Sequence, residues 1–527
     1  MSQPTVLGLD ASTQSLTAVL VDRATGRVVA EHSLSYPAEV WMSVEHAGQA
    51  DQSAAVFVRA LGPVLAALRD KGAPLASVER IGVSAQQHGC AFLATDAASQ
   101  LSTLRQPEAS PKVLDALAES LFSHPRCPIW MTSDTEPYAA ALRRAAGGSA
   151  AMISLTGSDS PLRFTGAMIR KFGEEHPHRY EKTSRVALLS QLFPMLLTGS
   201  VEVPVDWGNG SGTSLMDYQK KVWSPALLEA CAHGLPGGTA ALTAKLGGLV
   251  APLTVAGTIA PWFVRQFGFS PACEVLIGSG DNPQSKVPVA GDLLSLGTSF
   301  VLMAEQGQAS PLDARGWGNA MYDGRGQAFV FGCRTNGALV WDQLRQAHNA
   351  DFARAEAALN ANAPGSVLAL HQPLHESFPP SPAITCMVAG ESFDRQWAAA
   401  VDSSLGLLFL GSRPWLKGKT DALSVTGGPS GSAALVRRIA AFANRPVRVT
   451  GAAGAALGAA AGAHLADPVG DRLRSDQLAL VGWVPTSQEV QPRPEDVAAL
   501  HAPGGYLDQL RALFEAKTGI DPTGERL

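Results

Sequence analysis

The 527 residues predict an α/β protein built of two related domains facing each other across a cleft. Three observations carry the prediction. The length exceeds what one core ordinarily holds. A run of three strands, a helix and a strand opens the chain, and the same grammar returns about 270 residues later. The composition, 46% hydrophobic and 17% charged, can bury a sizeable core.

The first copy begins with Val6–Leu9, a strand, and Leu16–Val21, a second with β-branched alternation. Arg23–Arg27, with Thr25-Gly26 inside it, is a turn, and Arg27–Leu34 a third strand. A helix fits Ser53–Arg69, where Val56, Phe57, Leu61, Val64, Leu65 and Leu68 recur at helical spacing. Ile81–Ser84 is a short strand. This order begins a ribonuclease-H-like unit.

In the second copy, Val275–Gly278 reads as a buried strand ending in Ser279-Gly280-Asp281. Leu293–Ser295 and Phe300–Ala304 flank a Gly297-Thr298 turn, and Ala328–Phe331 is a further strand. Two unrelated α/β domains can look alike, but duplication is the favoured reading. Gly and Pro are frequent from Gly234 to Pro271, which places a boundary near residue 270. Leu101–Pro128, with Pro107, Pro111 and a helical pattern over Val113–Phe122, reads as a surface insertion. The run Ala452–Ala466 reads as a helix whose small residues let its backbone approach a neighbour. Beyond Asp467 one helix is expected near Tyr506–Lys517.

Charge and cysteine usage exclude several classes. A formal net charge of -5 does not suit a nucleic-acid partner. Cys90, Cys127, Cys231, Cys273, Cys333 and Cys386 form no CxxC pair, so they read as buried thiols in a reducing compartment, not as a zinc site or disulfide framework. No basic stretch followed by an apolar run precedes Val6, and no run of ~18 apolar residues spans a membrane. The expected setting is the cytoplasm.

Four segments could carry chemistry. Gly8 to Ser15 (Gly-Leu-Asp-Ala-Ser-Thr-Gln-Ser) sets Asp10 at a strand end before a polar turn. Such a turn can face phosphate oxygens, and the carboxylate can hold Mg²⁺ through its water shell. A hairpin with a capping Asp accounts for the same residues. Gly278 to Pro283 (Gly-Ser-Gly-Asp-Asn-Pro) sets Asp281 among glycines, where it could accept a proton from a hydroxyl. An Asx turn is the alternative. Thr426 to Ser432 (Thr-Gly-Gly-Pro-Ser-Gly-Ser) is a glycine-rich turn opening a helix, a phosphate platform but not a Walker loop. Gln86-Gln87-His88-Gly89 follows a strand where α/β folds bind ligands; a satisfied buried histidine is the plainer reading.

In this order, Asp10 with its turn, Gln86–Gly89, Gly280-Asp281-Asn282 and Gly427-Gly428 resemble the FGGY carbohydrate kinases over roughly residues 5–465. The resemblance implies two ribonuclease-H-like domains of the actin-like ATPase type, residues 1–270 binding sugar and 271–527 binding nucleotide. Within the family it points to kinases of small ketoses, D-xylulose foremost, through Gln86–Gly89, the Leu101–Pro128 insertion and Arg163-Phe164-Thr165-Gly166. It further implies Asp281 as general base, and His88, Arg163 and Asn282 with Asp281 as ketose ligands. Asp10 orients Mg²⁺, and Thr13 and Gln14 lie near the transferred phosphate. Gly297 and Thr298 run along the phosphates of ATP. Gly427 and Gly428 lie under the adenosine, with Ser432 nearby. A homodimer is implied by the family alone; the sequence shows no interface signature.

The sequence departs from the family twice. Trp130-Met131 is followed by Thr132-Ser133-Asp134 where an Asp is usual, and Ser432 stands where an Asn is usual. The first puts the sugar in doubt, the second the adenine contacts. Asp206, in Val205 to Gly212, reads as structural or as a secondary contact. The alternatives are a kinase for ribulose or a polyol, an actin- or Hsp70-like partner-binding ATPase, and a sugar-binding sensor.

Overall fold

Apolar residues run almost unbroken through β1 (Thr5–Ala11), and all but Asp10 are buried. That pattern marks a strand covered on both faces. The edge strand β3 (Val28–Ser35) alternates between exposed and half-buried positions instead. Between them lies β2 (Ser15–Asp22), antiparallel to both. The β2–β3 turn closes on Asp22, whose Oδ1 accepts the Ala24 and Thr25 N–H groups.

The computed structural model describes residues 3–307, 312–386, 392–451, 454–466, 480 and 483–525. The chain divides into two compact units. The first is Met1–Pro288 with Met321–Ala328 and Ala453–Trp483; the second is Val289–Ala320, Phe329–Ala452 and Val484–Leu527. A composition boundary near 270 is a different division, because the chain crosses between the units more than once.

In the first unit, β4 (Asp51–Ser53) leads into α1 (Ala54–Asp70). Phe57, Leu61, Val64, Leu65 and Leu68 of α1 are fully buried. β5 (Val78–Ala85) pairs parallel to β1. β6 (Arg126–Pro128) pairs antiparallel to β4. Leu101–Pro128 is not a surface insertion: Leu101, Leu104, Leu114, Leu117, Leu121 and Cys127 join the same core as α1. Prolines suggested a loop, but the apolar face of Val113–Ser120 finds its cover on α1.

The expected strand Val275–Gly278 is split. β7 (Val255–Thr258) pairs antiparallel to β8 (Glu274–Leu276), while β8 and then β9 (Ser279–Gly280) pair parallel to β5. Between β8 and β9 the Ile277 N–H donates to Thr254 O. A Cβ at Gly278 would lie 2.0 Å from Ser190 O, so the backbones meet there. The strand order is β3-β2-β1-β5-β8-β7.

The second unit repeats it. β10 (Leu293–Leu296), β11 (Phe300–Glu305), β12 (Ala328–Arg334), β13 (Leu423–Thr426), β14 (Val447–Thr450) and β15 (Thr486–Val490) lie in the order β12-β11-β10-β13-β14-β15. The first two pairings are antiparallel, the next two parallel and the last antiparallel, the same sequence as in the first unit. The topology is duplicated, but the second copy begins at Leu293: Val275–Gly278, read as its first strand, belongs to the sheet of the first unit.

The Ala/Gly run forms a helix, Ala455–Leu465, which packs on β1 and β5; Ala452 and Ala453 lie outside the described residues. No helix among the described residues is long and apolar enough to cross a membrane. None of the six cysteines forms a disulfide among the described residues, and four are buried while Cys333 and Cys386 are half-buried.

Candidate active site

Three neighbouring parallel strands of the first unit end together. β1 ends at Asp10-Ala11, β5 leads into Gln86-Gln87-His88, and β9 leads into Asp281. Carboxyl ends of parallel strands are where α/β sheets bind ligands. The turn after β1 is built by Ser12: its N–H donates to Ser15 O at 2.9 Å, and its Oγ accepts the Ser15 N–H at 3.2 Å. Gln14 is exposed on that turn, and its carbonyl accepts the Tyr36 N–H.

The two carboxylates repel each other. Burial lifts the Asp10 carboxyl to about 6, against the opposing hydrogen bond from Ser84 Oγ at 2.7 Å. Burial lifts Asp281 to about 7, and the negative charge of Asp10 adds to the rise. N–H groups of Asn282, Gln87 and Asp281 itself oppose it. A pair of half-buried carboxylates that disfavour each other's charge suits a divalent cation with oxygen ligands, so the residues fit Mg²⁺.

His88 sits beside this pair in a left-handed backbone conformation, φ 73°. Its ring stacks on Phe164 at 4.4 Å, and its Nδ1 lies 2.8 Å from Gly212 O. A carbonyl only accepts, so Nδ1 carries the proton and Nε2 is left as an acceptor. Burial, with the charge of Arg163, presses the imidazole down to about 3, so it stays neutral. Arg163 is half-buried next to Phe164 in the turn before the helix Thr165–Glu175. Gln87 reaches over Gly280, where a Cβ would lie 1.5 Å from its Oε1. That buried Oε1 has no protein partner.

Gln52 is a residue that motif reading missed. It is fully buried, and its Nε2 donates to Thr13 O at 2.7 Å. Its Oε1 accepts from Gln86 Nε2 at 2.7 Å. Thr13 also accepts the Trp130 indole N–H at 2.9 Å. One amide thus ties the turn after β1 to the segment after β5. A lone Gln on a three-residue strand shows no periodicity, so nothing local announced it.

The first unit thus brings together Asp10, Thr13, His88, Arg163, Asp281 and Asn282. Asp206 is structural: it caps the helix Trp207–Ser211 and accepts from Ser279 Oγ at 2.7 Å. Thr132 is buried, and its hydroxyl donates to Ala50 O at 2.9 Å. Asp134 pairs with Lys171.

In the second unit the ends of parallel neighbours β10 and β13 also meet. Gly297 and Thr298 are exposed after β10, and their carbonyls accept N–H groups from the start of the helix Ala338–Ala347. Gly427 follows β13 at φ 103°, and a Cβ there would lie 2.1 Å from Leu296 O. Gly428 faces open space. Ser432 caps the helix Ala433–Ala443, accepting the Leu435 N–H at 3.1 Å, and its hydroxyl also donates to Glu356.

Residues 114–287 match the FGGY family of carbohydrate kinases, N-terminal domain. The chain is 33% identical over 353 residues to a xylulose kinase of Mus musculus, an alignment taking in 64% of this chain and 61% of the mouse protein. The chain therefore matches about three-fifths of the length of that relative. Among solved structures, a xylulose kinase from Rhodospirillum rubrum aligns at TM-score 0.78 and 19% identity, covering 97% of this chain and 98% of that one. A gluconate kinase from Lactobacillus acidophilus aligns at TM-score 0.79 and 17% identity, covering 98% of each chain. These likenesses show the two-domain actin-like ATPase fold. The chain is thus similar to the FGGY family of carbohydrate kinases over residues 114–287 and to xylulose kinases over about three-fifths of their length.

Proposed function

We propose that the protein transfers the γ-phosphate of ATP to a hydroxyl of a small ketose, D-xylulose giving D-xylulose 5-phosphate. The observation that carries this reading is Asp281: a carboxylate lifted to about 7, beside a neutral His88, at the strand ends. A base with a pKa near the working pH can take a proton from a sugar hydroxyl as its oxygen attacks phosphorus. Asp281, His88, Arg163 and Asn282 hold the ketose, with His88 Nε2 accepting a hydroxyl hydrogen. Thr13 and Gln14 lie near the transferred phosphate. Gly297, Thr298, Gly427 and Gly428 carry the nucleotide, and Ser432 supports that loop through its cap. Asp10 would hold Mg²⁺, which when bound offsets charge on the phosphate oxygens. The setting is the cytoplasm and the assembly a homodimer, which sedimentation velocity tests.

The test is ATP consumption with Mg²⁺ across ketoses, aldoses, sugar acids and polyols. Turnover with D-xylulose far above the no-sugar background, lost in Asp281→Ala, supports the reading. Turnover only with ribulose, gluconate or a polyol keeps the mechanism and moves the substrate. Sugar-independent hydrolysis overturns both and favours a partner-binding ATPase.

Two further outcomes are expected. Asp281 accepts a proton only when ionised, so kcat/KM rises with pH and flattens above about 7. Because Asp10 and Asp281 interact, the limb reports the pair. It moves to lower pH as Mg²⁺ is raised; a flat profile from pH 5.5 to 9 speaks against the base. Gln52→Leu leaves the Thr13 carbonyl and Gln86 amide unpaired, at about 1–3 kcal/mol each. Steady-state kinetics should show kcat down roughly tenfold to a hundredfold, with sugar binding in the absence of ATP retained.

A further inference from the structure

The strand pair β4–β6 has two sides. Successive side chains on a strand point oppositely. Gln52 reaches toward Thr13, while its neighbour Asp51 lines a cavity of about 480 Å³ on the other side. That is within the usual range for small-molecule sites. The loop after β6 is shared in the same way. Trp130 donates to Thr13, and Thr132 lines the cavity. One layer of backbone separates the cavity from the turn after β1.

Inside the cavity the charges are matched; Arg179, at the exposed rim, pairs with no carboxylate among the described residues and donates to Ser123 O. Arg126 pairs with Glu45 at 2.5 Å and with Asp51 at 3.3 Å. Lys171 pairs with Asp134 and lies 3.9 Å from Glu175. An ionic ligand inside the cavity would have to break such pairs, so the inner walls do not select an anion or a cation. They do offer donors and acceptors side by side. The apolar part of the wall is aromatic: Phe92 and Phe172 stack at 3.8 Å, and His124 lies 5.0 Å from Phe172. A ring or chain that presents hydroxyls at its edge and C–H groups on its face meets both surfaces.

We propose that this cavity is a second ligand site, taking a neutral sugar or polyol, whose occupancy acts on the turn at Ser12–Ser15 through β4 and β6. The site is distinct from the one that holds the ketose and does not depend on the kinase reading. Hydrogen–deuterium exchange on the full chain without nucleotide tests it, with xylitol, D-sorbitol and D-xylose as probes. Peptides over 168–179 report the cavity. Peptides over 86–89 and 279–282 report the proposed active site, so either reading fails separately.

With at least one probe, exchange over 168–179 should slow several-fold and exchange over 12–15 should change. Both effects are lost in His176→Trp, which fills the cavity from a half-buried lining position. They weaken in Glu45→Gln, which removes one acceptor at the exposed rim. No protection over 168–179 with any probe, or equal protection in His176→Trp, overturns the site. Protection there with no change over 12–15 overturns the coupling.

Discussion

Asp281→Asn should lower sugar-dependent kcat by roughly 10²–10⁴-fold while making the folded protein more stable at pH 8. The two effects have one cause. The carboxyl rises from 3.8 to about 7 through burial and the charge of Asp10. Below 3.8 the group is protonated whether the chain is folded or not. As pH rises the unfolded chain ionises first, so stability falls up to about pH 7 and the penalty is complete above it. Asparagine keeps an oxygen for the Asn282 N–H, now 2.8 Å from Asp281 Oδ1, and carries no charge. Thermal unfolding at pH 4 and pH 8 checks the sign: the variant gains at pH 8 and not at pH 4. Equal Tm changes at both pH values would sink the buried-charge argument, while a retained kcat would sink the base.

Gly82→Ala should cost about 3 kcal/mol or more and leave little folded protein. Gly82 on β5 stands opposite Gly8 on β1 in the sheet register. A Cβ at Gly82 would lie 2.0 Å from Ala459 O, and one at Gly8 would lie 1.8 Å from Ala456 O. Both oxygens belong to the backbone of the helix Ala455–Leu465. That helix has no room to retreat, because a Cβ on its own Gly458 would lie 1.9 Å from Gln284 O. Backbone is thus packed on backbone at three glycines. Gly454→Ala is the control, since nothing lies within 4 Å of its Cβ position. Denaturant unfolding should show the control near wild type and Gly82→Ala severely destabilised; similar midpoints for the two would refute the close packing.

The same glycines show what the sequence makes legible. A run of alanines and glycines cannot build a thick helix face, so a close approach to a neighbour could be read from residues 452–466 alone. It could not be read that the neighbour would be Gly8 and Gly82, some 370 residues earlier or more. The carboxyl-end placement of Asp10, His88 and Asp281 was likewise readable, since each follows a strand pattern. Their mutual effect on ionisation was not, because burial and charge proximity arise only when the strands lie side by side.

Sequence by itself determined the strand pattern, the main helices and the polar and glycine-rich turns, because period and turn chemistry are local properties. Tertiary structure alone decided the rest. It took Leu101–Pro128 into the core, split Val275–Gly278 where Gly278 meets Ser190, and returned 321–328 and 453–483 to the first unit. It also gave Gln52 its two partners and committed the Ser432 hydroxyl to a helix cap and Glu356. A residue's own pattern says which face is apolar or polar; which distant residue covers that face is settled only when the chain folds back on itself.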